Sequence, residues 1–257
     1  MLLANAIALT CLLTPTAPAA QEKPTTKPSQ KARKAAAPKG KAGQRKRRPN
    51  PVMQPITDDP NLPRVLLIGD SISIGYTLPV RKMLKGKANV HRPLTNCGPT
   101  ITGLRKLDIW LGDKKWDVIH FNFGLHDLKY MGPNGENLWD PKTGHPQVSI
   151  QDYQKNLDSI TRRLKKTGAK VIWRNTTPVP PGARGRVVGD SKKYNDVAAK
   201  IMKKHGIPTH DMFSYSKERM KDIMRKADVH FTPDGSTKLA ETVVEQIMSA
   251  MQKKAAG

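Results

Sequence analysis

Four short stretches carry side chains able to do covalent chemistry, and they fall in a definite order along the chain. The first is Gly69-Asp70-Ser71-Ile72-Ser73. A serine directly after a buried strand, at the opening of a helix, has a free hydroxyl beside backbone N–H groups that lack intrahelical partners. Such groups can receive a developing oxyanion. The last is Asp228-Val229-His230, just before the final helix. In an extended loop, residues i and i+2 project to the same side. Asp228 can therefore accept from one imidazole nitrogen and fix the tautomer, leaving the other to take a serine proton. Between them lie two turns that follow strands, Asn96-Cys97-Gly98 and Gly124-Leu125-His126-Asp127. The chemistry these residue types allow is attack by an activated hydroxyl on a carbonyl. The first stretch is not a G-x-S-x-G elbow, because Ser73 stands where the second glycine would be.

These residues need a scaffold that ends strands beside helix openings. Arg64 to Gly69 is a short run of leucine and β-branched residues, read as a buried strand. Asn89 to Pro93 is a weaker strand, Asp117 to Gly124 a strong one, and Lys170 to Thr176 a fourth, stopped by Pro178. Ile207 to Asp211 reads as a short edge strand in which Pro208 is tolerable. Ser149-Ile-Gln-Asp152 is a capping box opening a helix with Tyr153, Leu157, Ile160 and Leu164 on one face. Ser191 to His205 repeats the pattern and closes at Gly206. The last helix starts at Thr232-Pro233 and uses Leu239, Val243, Ile247 and Met251. Strands alternating with helices imply a three-layer α/β/α sandwich with a central parallel sheet of about five strands, with ligands beyond the strand C-termini.

Gly-Asp-Ser-Ile, Asn-x-Gly, Gly-x-x-Asp and Asp-x-His, in that order from about Arg64 to the C-terminus, resemble the blocks of the SGNH (GDSL) hydrolases. The resemblance implies a flavodoxin-like fold and ester hydrolysis through an acyl-serine. Carried over by position, it makes Ser71 the nucleophile, His230 the general base and Asp228 its orienting partner. The N–H groups of Ser71 and Gly98 would form part of the oxyanion hole. The family's third donor is an asparagine side chain, and here that position holds His126. A neutral imidazole donates one N–H and can take that role; in the alternative reading it does not reach, and the hole works with two donors or not at all.

Other reactive types have plainer readings. Asp70 is a turn residue, Asp127 holds its loop, and Cys97 is a small buried filler. His91, His120, His145, His205 and His210 fall at no metal-ligand spacing with Cys, Asp or Glu, so no metal is expected, and the mechanism needs no cofactor.

The chain of 257 residues carries 45 Lys and Arg against 21 Asp and Glu, a net charge of +24. No apolar run reaches the roughly 18 residues of a membrane-spanning helix, and two cysteines cannot staple a scaffold. Leu2 to Leu13 is a short apolar run followed by Ala17 and Ala19 in an A-x-A pattern, so residues 1–20 read as a signal peptide and the protein as exported to the periplasm, cell envelope or exterior. Residues 21–60 read as a disordered tail or linker. Its 21–50 part holds eleven Lys and Arg, one acid, and no Leu, Ile, Val or aromatic residue to bury. Residues 61–257 form the catalytic domain. The substrate class expected is an acetylated carbohydrate, with the basic tail holding an anionic polymer or the envelope. No obligate nucleic-acid partner is expected, because the domain lacks the interleaving of aromatic and basic residues that such modules use; the tail alone could hold nucleic acid. An acyl thioesterase or lysophospholipase of the same fold and an inert basic binding protein are the competing readings. The loop from Gly132 to Gln147 follows the third strand, and Trp139 in it offers a flat face for a sugar ring.

Overall fold

The computed structural model describes residues 50–252. The expected signal peptide and nearly all of the basic segment lie outside the described residues. Packing starts earlier than residue 61. A 3-10 turn at Pro51–Met53 buries Val52, Asp58 pairs with Arg64 at 2.9 Å, and Asp59 N–H donates to the Asn89 side chain. Residues 51–60 are thus part of the domain and not of a linker: they cover the N-terminal end of the first two strands with bonds that the sequence pattern does not advertise.

The central sheet is built from β1 (Arg64–Ile68), β2 (Asn89–His91), β3 (Val118–Phe121), β6 (Lys170–Arg174) and β7 (Thr209–His210). Every pairing is parallel and the order is β2-β1-β3-β6-β7. Among sheet strands alone, this is the doubly wound 2-1-3-4-5 order, which reverses direction between β1 and β3. Ligands bind in the crevice at that reversal, beyond the strand C-termini. Ser71 follows β1 there, and Gly124 to Asp127 follow β3.

The helices are α1 (Ser71–Met83), α2 (Thr100–Leu111), α3 (Ile150–Lys165), α4 (Asp190–His205), the short α5 (Met212–Glu218) and α6 (Met220–Ile223), and α7 (Pro233–Gln252). α1 packs on α7, while α2 packs on α3 and α3 on α4, giving the three-layer α/β/α arrangement. The Ser149 hydroxyl accepts from Asp152 N–H at 3.1 Å and opens α3 as the capping box predicts. Tyr153, Leu157, Ile160 and Leu164 are buried on its inner face. Gly206 ends α4 in the left-handed conformation at φ +66°.

Two features depart from the sequence expectation. α2 has no clear helical signal, since Thr100, Ile101 and Thr102 are β-branched and Gly103 interrupts its interior. It is held by tertiary contact: a Cβ on Gly103 would lie 2.7 Å from Phe123 and 2.8 Å from Ile160, so only glycine lets the helix approach so closely. The segment after β3 is not a plain loop but contains a small antiparallel hairpin, β4 (Tyr130–Met131) with β5 (His145–Pro146).

At the end of β3 the backbone passes within touching distance of the β6 side. A Cβ on Gly124 would lie 2.0 Å from Thr176 Oγ1, and the glycine φ is +154°. Thr176 is itself fixed, because its hydroxyl donates to Phe123 O and its N–H to Asn195 Oδ1. Gly124→Ala is therefore expected to lower the unfolding free energy by about 1–3 kcal/mol, the usual range for an overpacked core site. In a urea titration this should be a shift in midpoint at unchanged slope, and an unaltered midpoint would contradict the close approach.

Candidate active site

Ser71 is the first residue of α1, and Asp70 caps that helix by accepting from Ile72 N–H at 3.0 Å. The turn sets the Ser71 hydroxyl at the sheet's C-terminal edge and leaves its N–H without an intrahelical partner. Some 159 positions later, the loop before α7 brings His230 Nε2 to 2.8 Å from Ser71 Oγ. His230 Nδ1 lies 2.7 Å from Asp228 Oδ1, which also accepts from the His230 N–H at 3.2 Å. With the Nδ1 proton on the carboxylate side, Nε2 is the acceptor facing the serine. Burial alone would raise the Asp228 pKa. The bonds from the His230 ring and backbone, with the charges of His230 and Arg225, outweigh burial and draw it below the ordinary value. The carboxylate is held ionised.

The other two turns also converge on this edge. Gly98 sits at φ +64°, and its N–H donates to Asn96 Oδ1 at 3.0 Å. That donor is engaged within its own turn, so it can reach an oxyanion only by sharing the bond or when Asn96 turns away. His126 is half-buried, and no hydrogen-bond partner holds its ring among the described residues. Burial lowers its pKa most, and Lys129, Arg186 and His230 lower it further against the opposing charge of Asp70. The imidazole is therefore neutral at physiological pH, with one N–H to donate and one lone pair. Asp127 turns inward. It accepts from Thr100 N–H at 2.8 Å and from the Thr100 hydroxyl at 2.5 Å, pinning the start of α2 and, through it, the Gly98 turn. Cys97 is fully buried, and burial pushes its thiol up to about 12, which leaves it protonated and packed.

Some of the polar groups around the site are not visible as a set in the sequence. Arg174, at the end of β6, is fully buried with Nη2 3.9 Å from Asp70 Oδ1 and its guanidinium 5.9 Å from the Tyr76 ring. His120 and His210 meet at 3.1 Å in the same interior, and burial lowers both pKa values, that of His210 to about 4. In the sequence Arg174 shows only as a charge that closes the apolar run Val171-Ile172-Trp173. Arg186 is the second such group. Its Nε donates to Leu125 O at 3.1 Å, next to His126, and its charge acts on Asp70 and Asp228. A cavity of about 470 Å³ lies elsewhere, at the N-terminal ends of β6 and β7 around Lys170 and Pro208, on the far side of the sheet from Ser71.

Ser71, His230 and Asp228 form a continuous chain of contacts at the switch point of a flavodoxin-type sheet. The profile of the GDSL-like lipase/acylhydrolase family matches residues 67–238. The chain belongs to that family and is a hydrolase acting on ester bonds. No curated protein sequence matches it. Among solved structures, it resembles a lipase/acylhydrolase from Enterococcus faecalis (19% identity, TM-score 0.60, 76% of this chain and 100% of that one). It also resembles the acetyl xylan esterase AlAXEase (14% identity, TM-score 0.58, 72% and 99%). A third is a catalytic mutant of the acetylxylan esterase Axe2 from Geobacillus stearothermophilus (15% identity, TM-score 0.56, 72% and 94%). At these identities the likeness is one of fold.

Burial raises the Asp127 pKa to about 7 from an ordinary 3.8, against the bonds from Thr100. The folded chain thus keeps a proton that the unfolded chain has released, and stability contributed here is full at low pH and lost as pH rises from about 4 to about 7. Asp127→Asn keeps the acceptor for Thr100 and removes the titration. Urea midpoints measured across that interval should fall less steeply in the variant than in the parent; parallel slopes would show that Asp127 ionises normally.

Proposed function

We propose that the protein is a serine carboxylic ester hydrolase that removes O-acetyl groups from a carbohydrate, with Ser71 as nucleophile, His230 as general base and Asp228 as the residue that orients it. The observation that carries the reading is the continuous contact from Ser71 Oγ through His230 to Asp228, at 2.8 and 2.7 Å. His230 Nε2 takes the serine proton as Oγ attacks the ester carbonyl. The carbonyl oxygen becomes an oxyanion facing the Ser71 N–H, the His126 ring N–H and, once Asn96 shares it, the Gly98 N–H. The sugar alcohol leaves with the proton from the imidazolium. Water, deprotonated by the same nitrogen, then attacks the acyl-serine, and acetate departs as Ser71 regains its proton.

A sugar ester is favoured over a long acyl chain by the surroundings. Beside the catalytic loop runs a groove walled by Trp139 and by Arg184 and Arg186, which suits a polar ring better than an alkyl tail. The two acetyl xylan esterases among the similar structures agree with an acetyl ester on a glycan. In this reading residues 1–20 direct export, and the basic segment holds the enzyme to an anionic polymer or the cell envelope; both rest on the sequence.

Hydrolysis of p-nitrophenyl acetate by the full chain should fall at least about 1,000-fold in Ser71→Ala. Equal rates in parent and variant would overturn the serine mechanism. The acetate ester should be cleaved faster than the octanoate, and the opposite preference would support the thioesterase or lysophospholipase reading. Removing one oxyanion donor costs about 100- to 1,000-fold in kcat. His126→Ala should show that loss with KM little changed, while His126→Asn, which restores an N–H donor, should recover most of it. A His126→Ala enzyme with full kcat would remove this residue from the oxyanion site.

A further inference from the structure

The groove beside the triad has a charge pattern that catalysis does not require. It encloses about 510 Å³ between the turn carrying Leu138, Trp139 and Asp140 and the loop from Gly182 to Arg186. Both walls are fixed. Tyr130 N–H donates to Gly185 O at 2.8 Å, and Trp139 N–H donates to Tyr130 O at 2.9 Å. The indole N–H donates to the Thr143 hydroxyl at 2.9 Å, which holds the ring in one orientation. Two non-glycine residues with positive φ mark the borders of this region, Leu138 at +57° and Ala227 at +53°. The second lies next to Asp228, and a Cβ on Gly182 would sit 3.1 Å from its side chain, so the groove abuts the catalytic loop. Backbone held in a sparsely populated region is a feature of binding sites.

Neither arginine lining it makes an ion pair among the described residues. Among the described residues, Arg184 has no hydrogen-bond or ion-pair partner, and Arg186 uses only Nε, to Leu125 O. Arg64 and Arg163, by contrast, are matched by Asp58 and Asp108. Asp140 is the carboxylate of the groove, and one of its oxygens is engaged by the Lys142 N–H at 2.9 Å. Lys129, close enough to Arg186 for their charges to interact, adds a further positive centre behind the loop.

We propose that this groove is a subsite for a sugar unit bearing a carboxylate or sulfate, next to the unit that carries the ester, with the anion on Arg184 and Arg186 and the ring face on Trp139. The guanidinium forks match the planar carboxylate or the sulfate oxygens, and the indole supplies the apolar face that a pyranose ring stacks on. Arg186 links the subsite to the chemistry, since it is anchored beside His126 and feels the charge of Asp228. The esterase would thereby prefer acetylated acidic glycans over acetylated neutral ones. The proposal deepens the ester-hydrolase reading and rests on it, but the subsite can be tested without turnover.

The test is a titration of the full chain, labelled with ¹⁵N, followed at the indole N–H signals. The chain has four tryptophans, and Trp139→Phe identifies the relevant signal. Because the signal is local, anion binding by the basic tail does not mimic it. Oligogalacturonate and a sulfated oligosaccharide, both without ester, should move the Trp139 signal, and neutral xylo-oligosaccharide should not. In Arg184→Gln the affinity for the anionic ligands should fall about tenfold, the scale of one charge-assisted hydrogen bond. Movement of that signal by the sulfated but not the carboxylated ligand, or the reverse, names which anion the site takes. No movement with either ligand, or equal affinity in Arg184→Gln, overturns the subsite. In parallel, kcat/KM on acetylated polygalacturonate relative to acetylated xylan should drop about tenfold in Arg184→Gln. Turnover with no preference for the acidic polymer and no indole shift would discard the subsite and keep the esterase. An indole shift with no turnover on any acetyl ester would keep the subsite and discard the esterase.

Discussion

The contact on which the site depends is the 2.8 Å approach of Ser71 to His230 across 159 positions of sequence. It exists because α1 and α7 lie side by side with their N-termini at the same edge of the sheet. Gly75 on α1 permits the fit, since a Cβ there would stand 3.1 Å from the Ser236 hydroxyl near the start of α7. Tyr76 and Val80 on one helix and Leu239 and Val243 on the other are buried, so the docking is held by apolar packing away from the chemistry. Ser71 and His230 are each placed by a helix opening, and the relation between the two openings is set by the core.

Beneath that edge the protein keeps an unusually polar interior. Asp70, Arg174, His120, His210 and Asn122 are all buried, and several of their polar atoms have no hydrogen-bond partner, among them Asp70 Oδ2, His120 Nδ1 and all three Arg174 guanidinium nitrogens. Unsatisfied groups of this kind are costly in a dry core, and the sites are natural places for internal water. Neutral His120 and His210 reduce the charge that must be buried, leaving Arg174 facing Asp70 and the Tyr76 ring. The same Asp70 caps α1, so the charge balance of the interior and the position of Ser71 share one carboxylate.

Charge around His230 is distributed by distance from water. The carboxylate of Asp228 is partly exposed and held ionised by its histidine, whereas Asp127, fully enclosed, is driven toward its neutral form and serves α2. His126 stays neutral among cations and can donate where an amide would otherwise stand. Residues of one chemical type thus take different roles from their environments.

The backbone scaffold was legible locally. Strand runs ending in Gly-Asp or before Thr-Pro, the Ser149 capping box, Gly206 and Pro233 each carry their signal within a few residues, and the five parallel strands and the main helices follow from them. Asp228 and His230 were legible as a pair because two-residue spacing in an extended loop is itself a geometry. Tertiary structure alone decided the rest. α2 forms because Gly103 can rest against Phe123 and Ile160. Residues 51–60 join the domain through Asp58 and Asp59, whose partners lie in the strands. His120 meets His210 across 90 positions, Arg174 turns inward toward Asp70, and Arg186 comes to rest at Leu125. The difference is one of range: hydrogen-bond and conformational preferences of neighbouring residues are written in order along the chain, whereas partners of buried charge and close packing are chosen by which surfaces the fold brings together.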